Sequence, residues 1–159
     1  MIDRLLQLIR DPDTAPAPTG NERQLAAAAL LIEAGLVDGH FDDVERAAIR
    51  RLLIDRLDVP EANVDAVLAE AEGNARQATD AWTFARVVKE AYSEDERVDV
   101  IEMLWEVVYA DGVADDFEAN LLRRIAGLLY VPDHRSGGAR KRVLERLGIA
   151  ESEGEDSEN

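Results

Sequence analysis

The sequence contains no cysteine and no long hydrophobic run, and each absence excludes a class of protein. Without cysteine among its 159 residues, the chain forms neither disulfides nor thiolate-based zinc or iron–sulfur sites. This composition fits a reducing compartment, and we expect a cytoplasmic protein. The longest apolar run, residues 25–32, is far shorter than the ~20 residues that cross a bilayer, and residues 1–10 lack the basic start of a signal peptide. We expect no membrane insertion, and peripheral association only through partners.

Basic residues are also scarce. The chain has 18 Lys and Arg against 34 Asp and Glu, which gives a formal net charge of −16. Binding to phosphates needs clustered basic side chains, so this balance argues against nucleic acids and anionic lipid surfaces as partners. The last nine residues, 151–159, contain acids and no base, but the remainder of the chain is strongly acidic as well. Cations, or a protein partner with a basic face, are the expected ligands.

The hydrophobic residues, 47% of the chain, are sufficient for one compact domain of this length. We assign residues 1–20 to a short N-terminal helix followed by a proline-rich loop. Residues 21–148 form a helical domain, and residues 149–159 form an acidic, disordered tail.

Apolar residues in the central domain recur at three- and four-residue steps, and no stretch alternates as a strand does. The predicted fold is therefore all-α, a compact bundle of seven or eight helices. Capping signals place helix starts at Asp42 with Glu45, at Thr79 and Asp80, at Ser93 with Glu96 and at Asp115. Further predicted helices run over 21–37, from Pro60 toward Gly73, and over 139–147 after a loop at 133–138.

The most informative feature is an internal repeat. The stretch DGHFDDVE at 38–45 recurs as DGVADDFE at 111–118, with five of eight positions identical. The wider similarity covers about 22–60 and 96–132, and each copy ends near a proline, Pro60 or Pro132. A repeated unit of this kind predicts two pseudo-symmetric helix-loop-helix halves that cover each other's apolar faces.

The repeated Asp-Gly followed six residues later by Glu, in a small acidic helical chain, resembles the TerB-like family, named for tellurite resistance. The resemblance covers roughly residues 21–132. It implies a compact helical domain whose acidic clusters bind divalent cations, in systems linked to stress responses and often to the inner face of the membrane. It implies no enzymatic activity and does not itself indicate tellurite chemistry.

The two acidic stretches are the candidate metal sites. Hard cations such as Ca²⁺, Mg²⁺ or Mn²⁺ prefer oxygen ligands, and an Asp-Gly turn can bring a loop carboxylate toward those of the following helix. The spacing departs from an EF-hand, so a high-affinity calcium sensor is not predicted. The candidate ligands are Asp38, Asp42, Asp43 and Glu45 in the first stretch and Asp111, Asp115, Asp116 and Glu118 in the second.

Helix capping is the competing interpretation of these acids. Two carboxylates about 6 Å apart in water repel by roughly 0.7 kcal/mol, whereas an N-cap contributes about 1 kcal/mol and the helix dipole roughly 0.3 to 1 kcal/mol. The clusters can therefore exist without an ion. Asp38 and Asp111 are the informative positions, because a capping box does not use them.

Other candidates have ordinary structural explanations. His40 is replaced by Val113 in the repeat and is interpreted as a solvated loop residue, as is His134. Trp82 and Trp105 lie at helical spacings with apolar residues, which indicates core positions. The pairs Arg50-Arg51 and Arg123-Arg124 are expected to form surface ion pairs.

The functional prediction is a non-enzymatic binding or scaffold module that holds divalent cations at two acidic Asp-Gly loops. The alternatives are an ion-independent protein-interaction domain and, last, a metal-dependent hydrolase. The sequence contains neither a phosphate-binding glycine loop nor an HExxH motif.

Overall fold

A computed structural model describes residues 20–36, 41–78, 83–111 and 116–149. Across these ranges the chain forms seven α-helices and one 3₁₀ turn, and no strand, which confirms the predicted all-α bundle. The predicted N-terminal helix and the acidic tail lie outside the described residues. In chain order the helices are α1 (Gly20–Leu36), α2 (Asp43–Asp55), α3 (Glu61–Gln77), α4 (Thr83–Ala91), α5 (Glu94–Val108), α6 (Asp116–Leu128) and α7 (Asp133–Leu147), and the 3₁₀ turn, Tyr109–Asp111, follows α5.

Two helices, α1 and α5, form the centre of the bundle. Residues 25–32 of α1 and residues 100–108 of α5 are buried continuously, so both helices are covered around their circumference. The four consecutive alanines at 26–29 have small side chains, which lets α3, α4 and α5 pack closely against α1. The α7 helix packs along α5 and completes the core on the opposite side.

Two predicted helix starts are confirmed in detail. The Asp42 side chain accepts a hydrogen bond from the Glu45 backbone N–H at 2.8 Å, and the Glu45 carboxylate accepts one from the Asp42 backbone N–H. Ser93 and Glu96 form the same reciprocal arrangement at the start of α5. Each box satisfies two backbone donors that the helix itself leaves without partners. The starts predicted at Thr79, Asp80 and Asp115 lie outside the described residues.

Two predicted helix boundaries are wrong, and both errors involve glycine. Helix α3 continues through Gly73 to Gln77, because Asn74 and Ala75 beyond the glycine are buried. Helix α7 begins at Asp133, directly after Pro132, and includes the segment predicted as a loop. Packing thus outweighs the modest helix cost of an interior glycine, ~1 kcal/mol.

The residues between 133 and 138 illustrate why α7 starts early. Ser136 is buried beneath Trp105, whose indole N–H lies 3.4 Å from the serine hydroxyl and donates to it. Arg135 pairs with Glu94 and Asp95 at the start of α5. His134 therefore lies exposed in the first turn of a helix rather than in a loop.

None of the described helices combines the length and the apolar character needed to cross a membrane.

Candidate functional site

The first acidic stretch enters the described structure at Phe41 and passes directly into α2. Asp42 is the N-cap, and Asp43 and Glu45 lie in the first turn, where the positive end of the helix dipole favours carboxylates. The capping box occupies one oxygen of Asp42 and one of Glu45. Because a carboxylate has two oxygens, the capping hydrogen bond leaves the second oxygen of Asp42 as a potential metal ligand.

This helix start is held against the end of α1. A side chain at Gly35 would place its Cβ 3.0 Å from the Phe41 ring, so glycine permits the close approach of Phe41 to α1. The Arg46 guanidinium lies 4.7 Å from the centre of the Phe41 ring and pairs with Glu72 of α3 at 2.6 Å. These contacts connect the start of α2, with Asp42 and Asp43, to α1 and α3.

Arg46 and Arg76 also set the protonation of Glu72. The hydrogen bond from Arg46 is the largest influence, and together with Arg76 it outweighs the effect of burial and lowers the pKa of Glu72. Glu72 thus remains ionised and keeps Arg46 in place over Phe41.

The second acidic stretch begins at the end of α5, close to the first. The 3₁₀ turn Tyr109–Asp111 packs against α2, and Ala110, the residue before the second Asp-Gly, lines the same open groove as Asp43. The groove has a volume of about 570 Å³. The start of α2 and the 3₁₀ turn that leads into the second acidic stretch therefore lie near each other.

This groove, called the α2–α7 groove below, has apolar walls. Val44, Ala47 and Ala48 of α2 form one wall, and Leu147 and Ile149 at the end of α7 form the other. Its polar lining comes from Asp43, Arg51 and Glu106.

The structure describes the side chains of four of the eight predicted ligands. Asp42 and Asp43 are exposed, and Glu45 and Glu118 are half-buried. Asp38 and Asp115 lie outside the described residues, as do the side chains of Asp111 and Asp116. Within the part of the chain that is described, no group of three or more His, Asp or Glu residues is placed to hold a metal ion. A metal site made by the complete clusters stays a prediction.

A buried ion-pair network next to the groove was not predicted from the sequence. Glu102 and Glu106 face inward from α5, with only 6% and 9% of their side chains exposed. Arg142 donates to Glu102 at 2.8 Å, and Arg146 bridges the two carboxylates at 2.9 Å each. Arg51 of α2 donates to Glu106, and Arg56, the C-cap of α2, donates to Glu102. The network joins α2, α5 and α7.

The sequence did contain a signal for this network. Glu102 and Glu106 are four residues apart in the otherwise apolar stretch 100–108, and Arg142 and Arg146 have the same spacing on α7. Such spacing places each pair on one helix face. The prediction of surface ion pairs is confirmed for Arg50, which binds Asp65, but Arg51 contacts a buried carboxylate instead.

Burial and charge act in opposite directions on Glu102. Burial disfavours its ionised form, but the guanidinium groups of Arg142 and Arg146 outweigh this effect and hold the pKa of Glu102 below its ordinary value. The carboxylate is therefore charged at neutral pH and needs its arginine partners.

The remaining candidates divide between core and undescribed positions. Trp105 is buried, stacks near Tyr109 and packs in the core as predicted. Trp82 and His40 lie outside the described residues.

Comparison with known proteins identifies one relationship. The family model described as "Tellurite resistance protein TerB" matches residues 24–141, which is most of the chain and includes both acidic stretches. No curated protein and no solved structure matches the chain.

Proposed function

The chain belongs to the TerB family, and we propose that it is a non-enzymatic binding module that holds divalent cations at its two acidic Asp-Gly loops. The observation that carries the proposal is the placement of Asp43 and Ala110 on one groove. This placement brings the first acidic stretch next to the start of the second. By family resemblance, the module acts in a stress-response system.

The chemistry of the donors supports a hard cation. The two stretches supply eight carboxylates and no basic residue. Bringing them to one end of a chain with a net charge of −16 raises the local negative potential, which attracts cations and disfavours anions. Carboxylate oxygens on a loop and an adjoining helix start are ligands that Ca²⁺, Mg²⁺ and Mn²⁺ accept.

A second function, ion-independent binding of a protein partner, is favoured by a different observation. The capping box already accounts for Asp42 and Glu45 without an ion, and the walls of the α2–α7 groove are apolar. Exposed apolar surface with a polar rim is typical of protein-interaction sites.

Calorimetric titration separates the two functions. The full chain, freed of metal by a chelator and dialysed, is titrated with Ca²⁺, Mg²⁺ and Mn²⁺ at physiological salt. We expect saturable binding that is lost in the Asp38→Asn/Asp111→Asn variant, because these two acids have no part in the capping boxes.

The matched control is Glu90→Gln/Asp133→Asn, which removes the same charge from exposed positions near the start of α5, at the far end of the bundle. This control should bind cations as the parent does. Equal loss in both variants would reduce the effect to net charge, and no binding by the parent at millimolar cation would overturn the proposal and leave the protein-interaction function.

A further inference from the structure

The α2–α7 groove contains two exposed large apolar side chains. Val44 is 49% exposed and Leu147 is 37% exposed, and these are two of the four large hydrophobic residues that are exposed in the described part of the chain. They lie on opposite walls of the same groove. Side chains of this type are stabilised when a complementary apolar surface covers them.

We propose that residues 1–10 of this same chain dock in the α2–α7 groove as an amphipathic helix. Leu5 and Leu6 each lie three or four residues from both Ile2 and Ile9, which in a helix places these four aliphatic side chains on one face. Such a stripe matches an elongated groove with apolar walls.

Charge favours this segment over other parts of the chain. Residues 1–10 contain Arg4 and Arg10 against a single acid, Asp3, in a chain that is otherwise strongly acidic. The groove opens beside the exposed carboxylates of Asp42 and Asp43. The basic side chains on the polar face of the docked helix would thus lie near an acidic rim.

The acidic C-terminal segment is a poorer occupant. It continues from Ile149 at the edge of the groove, but residues 150–159 contain five acids, and their only apolar side chain is Ala150. Such a segment has little apolar surface to bury, and the carboxylates of Asp42 and Asp43 repel it.

The linking segment is long enough to reach the groove. Helix α1 has 17 residues, so its first residue and its last are about 25 Å apart at 1.5 Å per residue. The groove lies at the far end, because the end of α1 packs beside the start of α2 whereas Arg23 near its beginning pairs with Glu96 at the start of α5. Residues 11–19, with three prolines, span roughly 28 Å in an extended proline-rich conformation.

Tethering also compensates for the small size of the segment. A ligand on a short linker that spans the required distance has an effective concentration of about 1 mM. A ten-residue helix that binds too weakly as a free peptide can therefore occupy the groove when it is part of the chain.

Paramagnetic relaxation in the full chain tests this contact. Because the sequence has no cysteine, Gln7→Cys provides a single attachment site for a nitroxide on the face opposite the aliphatic stripe. The ¹⁵N-labelled protein is measured in the presence of a chelator, so the result does not depend on the cation proposal. We expect the amides of Val44, Ala47 and Leu147 to lose most of their signal relative to the reduced, diamagnetic sample.

Two substitutions identify the contact surface. Val44→Lys places a charge at an exposed edge of the groove, where it leaves the core intact, and should restore the Ala47 and Leu147 signals. Leu128→Lys is the matched control, since Leu128 is also exposed, at 40%, but lies at the end of α6 outside the groove lining. This variant should keep the signal loss.

A mixed sample separates contact within one chain from contact between chains. Spin-labelled protein at natural isotope abundance is mixed with ¹⁵N-labelled protein that carries no spin label. The groove amides of the ¹⁵N-labelled chain should keep their intensity. Signal loss in the mixed sample would assign the docked segment to a second copy and overturn the proposal as stated. Full groove intensities in the singly labelled chain would overturn it as well.

Discussion

Glu102 and Glu106 are buried acids on the central helix, and their charges are compensated by arginines from two other helices. Glu102 accepts hydrogen bonds from Arg56, Arg142 and Arg146, and Glu106 accepts them from Arg51 and Arg146. Because the guanidinium groups of Arg142 and Arg146 are about half exposed, the loss of one carboxylate removes charge-assisted hydrogen bonds but leaves no fully buried charge behind.

We expect Glu102→Gln to lower the free energy of unfolding by about 2 kcal/mol, because Arg142 loses its charged partner and Arg146 keeps only Glu106. Urea unfolding followed by circular dichroism measures the change. Asp65→Asn is the control, since its ion pair with Arg50 is exposed and should contribute less than about 1 kcal/mol. Equal effects of the two substitutions would contradict a special role for the buried network.

Glu102 also affects how the free energy of unfolding depends on pH in the acidic range. The folded-state pKa of Glu102 lies below its ordinary value of 4.5, so its contribution to stability is fully present above that value and is lost as the pH falls through the folded-state pKa. Urea midpoints measured from neutral pH to below pH 4.5 should therefore fall more steeply in the parent than in Glu102→Gln. Parallel curves would show that other carboxylates control acid unfolding.

Tyr92 should affect how the free energy of unfolding depends on pH in the alkaline range. Its hydroxyl donates to the Arg23 carbonyl at 2.9 Å, and burial, the largest influence, raises its pKa to about 12. Because the folded-state pKa is raised above the ordinary value of 10, the stabilisation is complete below pH 10 and is lost as the pH rises toward 12.

Urea midpoints between pH 9 and pH 12 should consequently fall less in Tyr92→Phe than in the parent. In the parent, the phenol ionises in the unfolded state over this window, and this ionisation favours unfolding. The phenolate absorbance of the parent should also include a component near pH 12 that the variant lacks. A variant whose midpoint falls as steeply as that of the parent would exclude this tyrosine as the titrating group.

At the scale of single elements, Gly137 within α7 and Gly148 directly after it have opposite requirements. Gly137 lies within the helix, and a Cβ there would meet no atom within 4 Å. Gly148 follows the last helical residue with φ of 71°, and its N–H and that of Ile149 bond back to the carbonyls of Glu145 and Leu144. This glycine therefore supplies the left-handed conformation that ends the helix and directs Ile149 into the groove.

The two alanine substitutions should change stability in opposite directions. Gly137→Ala should stabilise the protein by about 0.5 to 1 kcal/mol through helix propensity, whereas Gly148→Ala should destabilise it by about 1 kcal/mol through backbone strain. Thermal unfolding of both variants beside the parent measures the difference. Stabilisation by both would mean that the helix end can rearrange without the left-handed residue.

How far each element could be predicted depends on the range of the interactions that define it. The capping box of Asp42 and Glu45 is local, since both partners lie within four residues, and it was predicted correctly. The start of α7 depends on Ser136 packing beneath Trp105, 31 positions away, so the glycines at 137 and 138 indicated a loop. Local propensity is a weak guide where burial decides the outcome.

At the scale of the whole molecule, a net charge of −16 opposes compaction through repulsion among the acids. We expect the melting temperature to rise as sodium chloride is increased from low to physiological concentration, because screening reduces this repulsion while the buried pairs of α5 are screened less. Differential scanning calorimetry at several salt concentrations checks this. A falling melting temperature would show that the exposed ion pairs contribute more than the repulsion costs.

The candidate site also shows where sequence reasoning stops. The eight acids and their repeat could be recognised from the residues alone, because they are contiguous in the chain. That Ala110 and Asp43 share one groove could not, since it depends on how the 3₁₀ turn after α5 packs against α2. The apolar periodicity of α2 and of α5 shows which face of each helix is buried, but not which element packs against that face.

The continuous burial of α5 has a consequence for motion. Its residues from Val100 to Val108 are all buried, and their backbone amides lie within one helix. We expect local fraying to expose none of these amides, so that their hydrogens exchange with solvent only when the bundle opens as a whole. The exchange rates of this one helix would then measure the global opening equilibrium of the protein.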